Sequence, residues 1–177
     1  STILAIPVAK ALLRQNFWGN RFVVLILGAP FILPVIVAVL GLILVFGNNG
    51  IVNNLLNLIG LGSVKIYGFW GVILAHVFFN LPLAIRILLQ ALNDVPGEYY
   101  RLVSSLKLSF TQNFLALEWP VLKKVFPGIW AVIFAICLSS FAVALTLGGG
   151  PKATTVELAI YQSFFYDLDF SKAAQLA

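Results

Sequence analysis

Two groups of polar residues interrupt an otherwise oily chain, and each has the makings of a definite kind of work. His76 and Asn80 stand four apart inside the uncharged run from Gly68 to Ile85, so a helix places them on one face. Within a membrane such groups either join helices by hydrogen bonds or touch a passing solute, and both readings stand. The second group fills GEYYRLVSSLKLSFTQNFLALEWP, residues 97–120, with Glu98, Arg101, Lys107, Ser109 and Gln112. Its charges and hydroxyls alternate with apolar residues, which fits a surface that docks a partner better than one that catalyses. Catalysis and metal binding find little material: there is one histidine and one cysteine. Cys137 sits in an apolar run, so a buried structural thiol is expected, and no disulfide can form within the chain. GGGPK, residues 148–152, is a glycine-rich run before a lysine. It lacks Gly-Lys-Ser/Thr and follows an apolar run, not a strand, so it reads as an external loop and not a phosphate loop.

The elements that position these residues follow from composition. Of 177 residues, 61% are hydrophobic and 10% charged, with a mean hydropathy of +1.02. Soluble domains carry about 25% charged residues, so this chain is read as an integral membrane protein. Three apolar runs, 22–46, 68–91 and 126–147, approach or exceed the length of a spanning helix. They show none of the two-residue alternation of a membrane barrel. STILAIPVAKALLR reads as the end of another span, over 1–13, and KAAQLA as the start of a further one, at 173–177. With no methionine anywhere, the chain is expected to be an excerpt of a longer membrane protein. The expected fold is an all-α polytopic transmembrane bundle, with 1–177 forming one partial transmembrane domain.

The net charge of +5 serves orientation. Lys10, Arg14, Arg21, Arg86, Arg101, Lys107, Lys123 and Lys124 fall in the 10–21 and 86–124 segments, whereas the other loops hold only Lys65, Lys152 and Lys172. The positive-inside rule therefore places 10–21 and 93–124 in the cytoplasm and 47–67 and 148–172 outside. Lys123 and Lys124 are read as headgroup anchors. No recognition helix, zinc spacing or aromatic–basic platform points to nucleic acid.

Along the chain, Pro30 and Pro34 break the backbone bonding of the 22–46 span, giving either a merely bent helix or one that lines a pathway. Ile51, Leu55, Leu56 and Ile59 have helical spacing and predict a short interfacial helix. The third span is expected to begin near Pro127, a residue suited to a first helical turn. Residues 155–169 read as a short amphipathic element outside. None of the three runs contains Asp or Glu.

The polar interlude, taken as a loop over 93–124, has its own punctuation. Asp94 is a cap candidate, Pro96 suits a first turn, and Glu98 favours the helix dipole. Leu102, Val103, Leu106 and Leu108 give this helix an apolar side. Ser109 and Gln112 have capping-box spacing, predicting a second helix over 110–119 that Pro120 breaks or kinks. Linking two spans needs only a few residues, so about thirty argue for a docking surface.

Here the chain resembles the permease subunits of bacterial ATP-binding-cassette importers, of the MetI-like type. Their cytoplasmic signature is Glu-Ala-Ala, three residues, Gly, nine residues, an apolar residue, one residue, then Leu-Pro. Anchored on Trp119-Pro120, it puts the apolar position at Leu117, the Gly at Lys107 and Glu-Ala-Ala at Arg101, Leu102 and Val103. Spacing and proline match; Glu and Gly do not. GVILAHVFFNLPLAIRILLQAL, ALEWP, SFAVALTLGGGPKATTVELAIYQ and YDLDFSKAAQLA look like the thiamine-importer members. Ferric-iron importers are near relatives with similar GGGP loops.

The resemblance implies a permease half that passes thiamine or its phosphates inward by alternating access, or else ferric iron or another small solute. It implies three partners: an ATPase subunit dimer, an external substrate-binding protein and a second permease half in the same full-length chain. The setting is the bacterial inner membrane. The chain itself would be no enzyme and hold no cofactor, since ATP and Mg belong to the ATPase. Glu98, Arg101, Leu102, Val103, Lys107, Ser109, Gln112, Phe114 and Pro120 would form the coupling element. His76, Asn80, Trp130 and Phe141 are the pathway candidates, with Phe78 and Phe79 further aromatics for a cation. The GGGP loop is a candidate contact for the binding protein. A secondary transporter or channel, and a membrane scaffold, are the readings from other classes.

Overall fold

The computed structural model describes residues 1–14, 19–106, 109–148 and 154–177. Lys107 and most of the GGGP loop therefore lie outside the described residues. All regular structure among the described residues is helical, which suits a chain whose backbone must satisfy its own hydrogen bonds in lipid. In order the helices are α1 (Thr2–Arg14), α2 (Asn20–Ile32), α3 (Val35–Phe46), α4 (Ile51–Leu58), α5 (Phe69–Asn93), α6 (Gly97–Ser105) and α7 (Phe110–Asn113). A π-helical turn, Phe114–Glu118, leads into α8 (Trp119–Leu138), then α9 (Phe141–Leu147), α10 (Val156–Phe165) and α11 (Phe170–Leu176). Three stretches are long and apolar enough to cross a membrane: Val35–Leu58, Phe69–Asn93 and Thr111–Leu138.

The 22–46 run is not one helix. Its α2 passes through Pro30, but the chain leaves helical geometry at Leu33 and Pro34, where Pro34 has ψ 137°. The 12 residues of α3 rise only about 18 Å, short of a hydrocarbon core of about 30 Å. The apolar stretch continues instead through the Gly47–Gly50 turn into α4. Asn53 makes that turn possible. It is fully buried, and its amide donates to the carbonyls of Gly47 (2.8 Å) and Val64 (2.9 Å) while its oxygen accepts from the Val64 N–H (2.7 Å). The 25 residues of α5 rise about 38 Å and carry Pro82 without interruption.

The third span also differs from expectation. Helical structure begins at Phe110, well before Pro127, and Pro120 does not break it. A proline has no N–H for the carbonyl four residues back. The chain widens just before it: Trp119 donates to Phe114, five residues back, which marks the π turn. At the other end the run stops early. Ser139 and Ser140 separate α8 from α9, and Ser140 lies at φ −98°, ψ 51°.

Two compact units divide the described chain. One comprises Ser1–Gly28 and Asn80–Ile133. On α1 its buried residues are Thr2, Ala5, Ala9 and Leu12, a helical stripe whose small members allow close approach. Ala84, Ile85, Leu88 and Leu92 on α5 and Leu122, Ile129 and Ile133 on α8 supply further buried positions. The other unit, Ala29–Phe79 with Phe134–Ala177, packs Val39, Leu42, Ile66, Ala75, Val143 and Leu147 into one cluster. Gly71 is required there, because an added Cβ would fall on the Ile66 carbonyl. Gly68 has φ +94° and donates its N–H to Leu147 at 2.7 Å, fastening the start of α5 to the end of α9.

Candidate functional site

The coupling candidates lie on α6 and on the start of the helix that becomes α8. Glycine and a preceding proline open α6, and Glu98 occupies its first turn, where a carboxylate complements the helix dipole. Glu98, Arg101, Leu102 and Ser105 recur at helical spacing and are all exposed, Leu102 at 61%. Val103 is buried, so it holds α6 to the protein while its neighbours face outward. The capping box forms. Ser109 N–H donates to Gln112 Oε1 at 2.9 Å, and Gln112 N–H donates to Ser109 Oγ at 3.4 Å. Phe114 opens the π turn and Pro120 stands in the first turn of α8. A groove of about 540 Å³ runs beside them, lined by Asp94, Tyr99, Leu117, Val121 and Lys124 among others.

One residue of this segment escaped the sequence reading. Glu118 is fully buried, and its Oε2 lies 3.0 Å from the Lys10 ammonium, itself only 13% exposed. The same ammonium sits 3.8 Å from the centre of the Phe114 ring, one turn before Glu118. Lys10, expected as an orienting charge, is thus a buried partner that ties α1 to the π turn. The expectation of no acidic residue in a span is corrected with it. Because helical structure starts earlier than Pro127, Glu118 belongs to the Thr111–Leu138 stretch. The sequence signal was present as an acid beside Trp119-Pro120, but its partner lies at the far end of the chain.

The pathway candidates divide between the two units, His76 and Phe141 in one and Asn80 and Trp130 in the other. His76 meets the break at Ser139–Ser140: its Nε2 is 2.9 Å from Ser140 Oγ and its Nδ1 is 2.8 Å from the Val72 carbonyl. Ser140 Oγ also donates to the Cys137 carbonyl at 2.7 Å. His76 therefore stabilises a helix break, while the Cys137 side chain is half-buried, less hidden than expected. Asn80 is buried in the other unit and Trp130 is 65% exposed there, as a lipid-facing side chain of α8 would be. Phe141, the first residue of α9, donates its N–H to Glu157 Oε2 at 3.2 Å and meets the Tyr161 ring at 5.2 Å.

The outer element also departs from expectation. In α10 the Thr155 hydroxyl caps the helix by accepting from Leu158 N–H. Its faces are not sorted for water, since Ser163 is buried while Val156, Phe164 and Phe165 are exposed. Such a helix suits a membrane interface, where exposed aromatics are at home. Among the described residues no group of three or more metal-ligand side chains comes together.

No family model matches the chain. Individual proteins do. The chain is 47% identical over 178 residues to the thiamine transport system permease protein ThiP of Escherichia coli, 44% to that of Salmonella typhimurium and 40% to that of Brucella suis. Each match takes in 99–100% of this chain and 33% of the relative. The chain thus spans about a third of the length of these curated relatives. A probable sulfate transport system permease protein, cysT of Chlorella vulgaris, is 32% identical over 147 residues, 82% of this chain and 51% of that protein. Alike from end to end at 40–47% identity, and helical with three stretches fit to cross a membrane, the chain is similar over its whole length to one part of these transport-system permeases.

Proposed function

We propose that this chain is part of the membrane permease of an ATP-driven importer whose solute is thiamine or its phosphates. The observation that carries the reading is the end-to-end likeness to proteins named thiamine transport permeases. The coupling element supports it independently. A capped segment with an exposed face of Glu98, Arg101, Leu102 and Ser105 lies between two spans, on the side that the basic residues place in the cytoplasm. An ATPase subunit dimer docks on that face and holds ATP and Mg, so this chain performs no hydrolysis. An external binding protein delivers the solute, a second permease half completes the pathway, and the spans alternate between outward and inward access in the bacterial inner membrane. The sulfate permease likeness keeps a different small solute, ferric iron included, as the second choice of cargo. The Lys10–Glu118 pair, the broken helices and His76 and Asn80 favour a secondary transporter or channel, where intramembrane charges carry ions.

The test is uptake of labelled thiamine at low concentration by cells lacking the full-length gene, with and without its return. Loss and restoration, abolished by ATP depletion, is the expected result. Uptake that survives ATP depletion points to the secondary transporter, and uptake indifferent to the gene removes thiamine as the solute. Leu102→Glu should lower restored uptake at unchanged protein level, because it alters only the outward face of α6.

A further inference from the structure

On the outer side, α10 carries Glu157, Tyr161 and Phe165 one helical turn apart, so they form a single stripe. Phe141 closes on this stripe from α9. Its ring centre is 5.2 Å from that of Tyr161 at 67°, and Phe165 lies 4.8 Å from Tyr161 on the next turn. Glu157 joins the two helices: one carboxylate oxygen accepts the Phe141 N–H at the start of α9. That bond engages one carboxylate oxygen and leaves the other beside the rings. Among the described residues the acids in ion pairs are Glu118, with Lys10, and Asp167, with Lys172, while Asp169 caps α11. Membrane-interface packing accounts for the aromatic rings. The carboxylate stands in the first turn of α10 and holds the Phe141 N–H by one oxygen, and its other oxygen has no hydrogen bond among the described residues. A positive ligand answers both features, drawn by the carboxylate and by the negative faces of the rings.

We propose that Glu157, Tyr161 and Phe141, extended by Phe165, form a receiving site for a small organic cation of the thiazolium kind. The site deepens the thiamine-import reading and rests on it. It uses a place where a span is interrupted, at Ser139–Ser140, as transporter sites commonly do. Phe141 thereby keeps a pathway role, with Tyr161 and Glu157 as its partners.

The test is equilibrium binding of radiolabelled thiamine to the full-length permease in nanodiscs. A neutral isostere, with the thiazolium replaced by an uncharged thiophene, serves as competitor. Glu157→Gln keeps an oxygen for the Phe141 N–H while removing the charge. Tyr161→Leu removes the ring, and Tyr161→Phe retains it. Glu157→Gln and Tyr161→Leu should each weaken thiamine binding by about tenfold, and Tyr161→Phe by about twofold or less. Competition by the neutral isostere should not change in Glu157→Gln. Unchanged thiamine binding in Glu157→Gln overturns the site, as does equal weakening of both ligands, which would make Glu157 a helix fastener alone. Wild-type uptake in cells separates the two claims. If cells import thiamine and Glu157→Gln binds it normally, only the site falls; if they import none, the solute assignment falls and the site with it.

Discussion

The buried pair between Lys10 and Glu118 should be the most sensitive polar contact in its unit. At 3.0 Å, two unit charges attract by about 5.5 kcal/mol at an effective dielectric of about 20. Desolvation of both ions opposes this, and a buried pair is commonly near neutral against an apolar replacement. Removing one partner is different, because the other charge stays in the protein without its nearest counter-ion, at about 3–5 kcal/mol. Glu118→Leu should therefore destabilise by about that amount. Lys10→Met should cost about 1 kcal/mol more, since it also gives up the contact with the Phe114 ring. Lys10→Met combined with Glu118→Leu should return to within about 1–2 kcal/mol of wild type. The assay is reversible unfolding of the full-length chain in mixed micelles by added SDS, followed by tryptophan fluorescence. A coupling energy of at least about 5 kcal/mol is expected from these values; additivity within about 0.5 kcal/mol would refute the buried pair.

Other perturbations separate local from tertiary effects. Ser109→Ala should destabilise the start of α7 by about 1 kcal/mol, read as faster amide exchange over 110–113. Asn53→Leu should cost about 2–4 kcal/mol by stranding the carbonyls of Gly47 and Val64 and the N–H of Val64, measured by the same SDS titration. Gly71→Ala should lose at least about 2 kcal/mol, because the clash is with the Ile66 backbone, which cannot swing aside as a side chain can. Pro120→Ala should leave Trp119–Leu138 helical and narrow the π turn to ordinary α geometry, seen as a new Pro120→Ala amide signal protected from exchange.

What the sequence determined by itself was whatever depends on neighbours along the chain. Long uncharged runs must become helices, since lipid offers the backbone no partners, so an all-α membrane fold was legible from composition and run length. The Ser109–Gln112 cap was legible too, because its donors and acceptors lie within one turn. So was α4, from the spacing of its apolar residues, although the buried anchor at Asn53 was not. Tertiary structure decided where the runs are cut. Pro30, Pro82, Pro120 and Pro127 all lie within helical stretches, whereas Leu33–Pro34 and Ser139–Ser140 interrupt them. A proline's effect turns on whether the freed carbonyls find other partners or a wider turn, and residue identity does not reveal that. It also decided which polar groups meet. His76 reaches Ser140, 64 residues on, and Glu118 reaches Lys10 near the start of the chain. Glu157 on α10 comes to Phe141 at the start of α9, 16 residues back. Each pairing needs two helix faces to turn toward each other, and that is settled by how helices pack, not by the period of residues along either one.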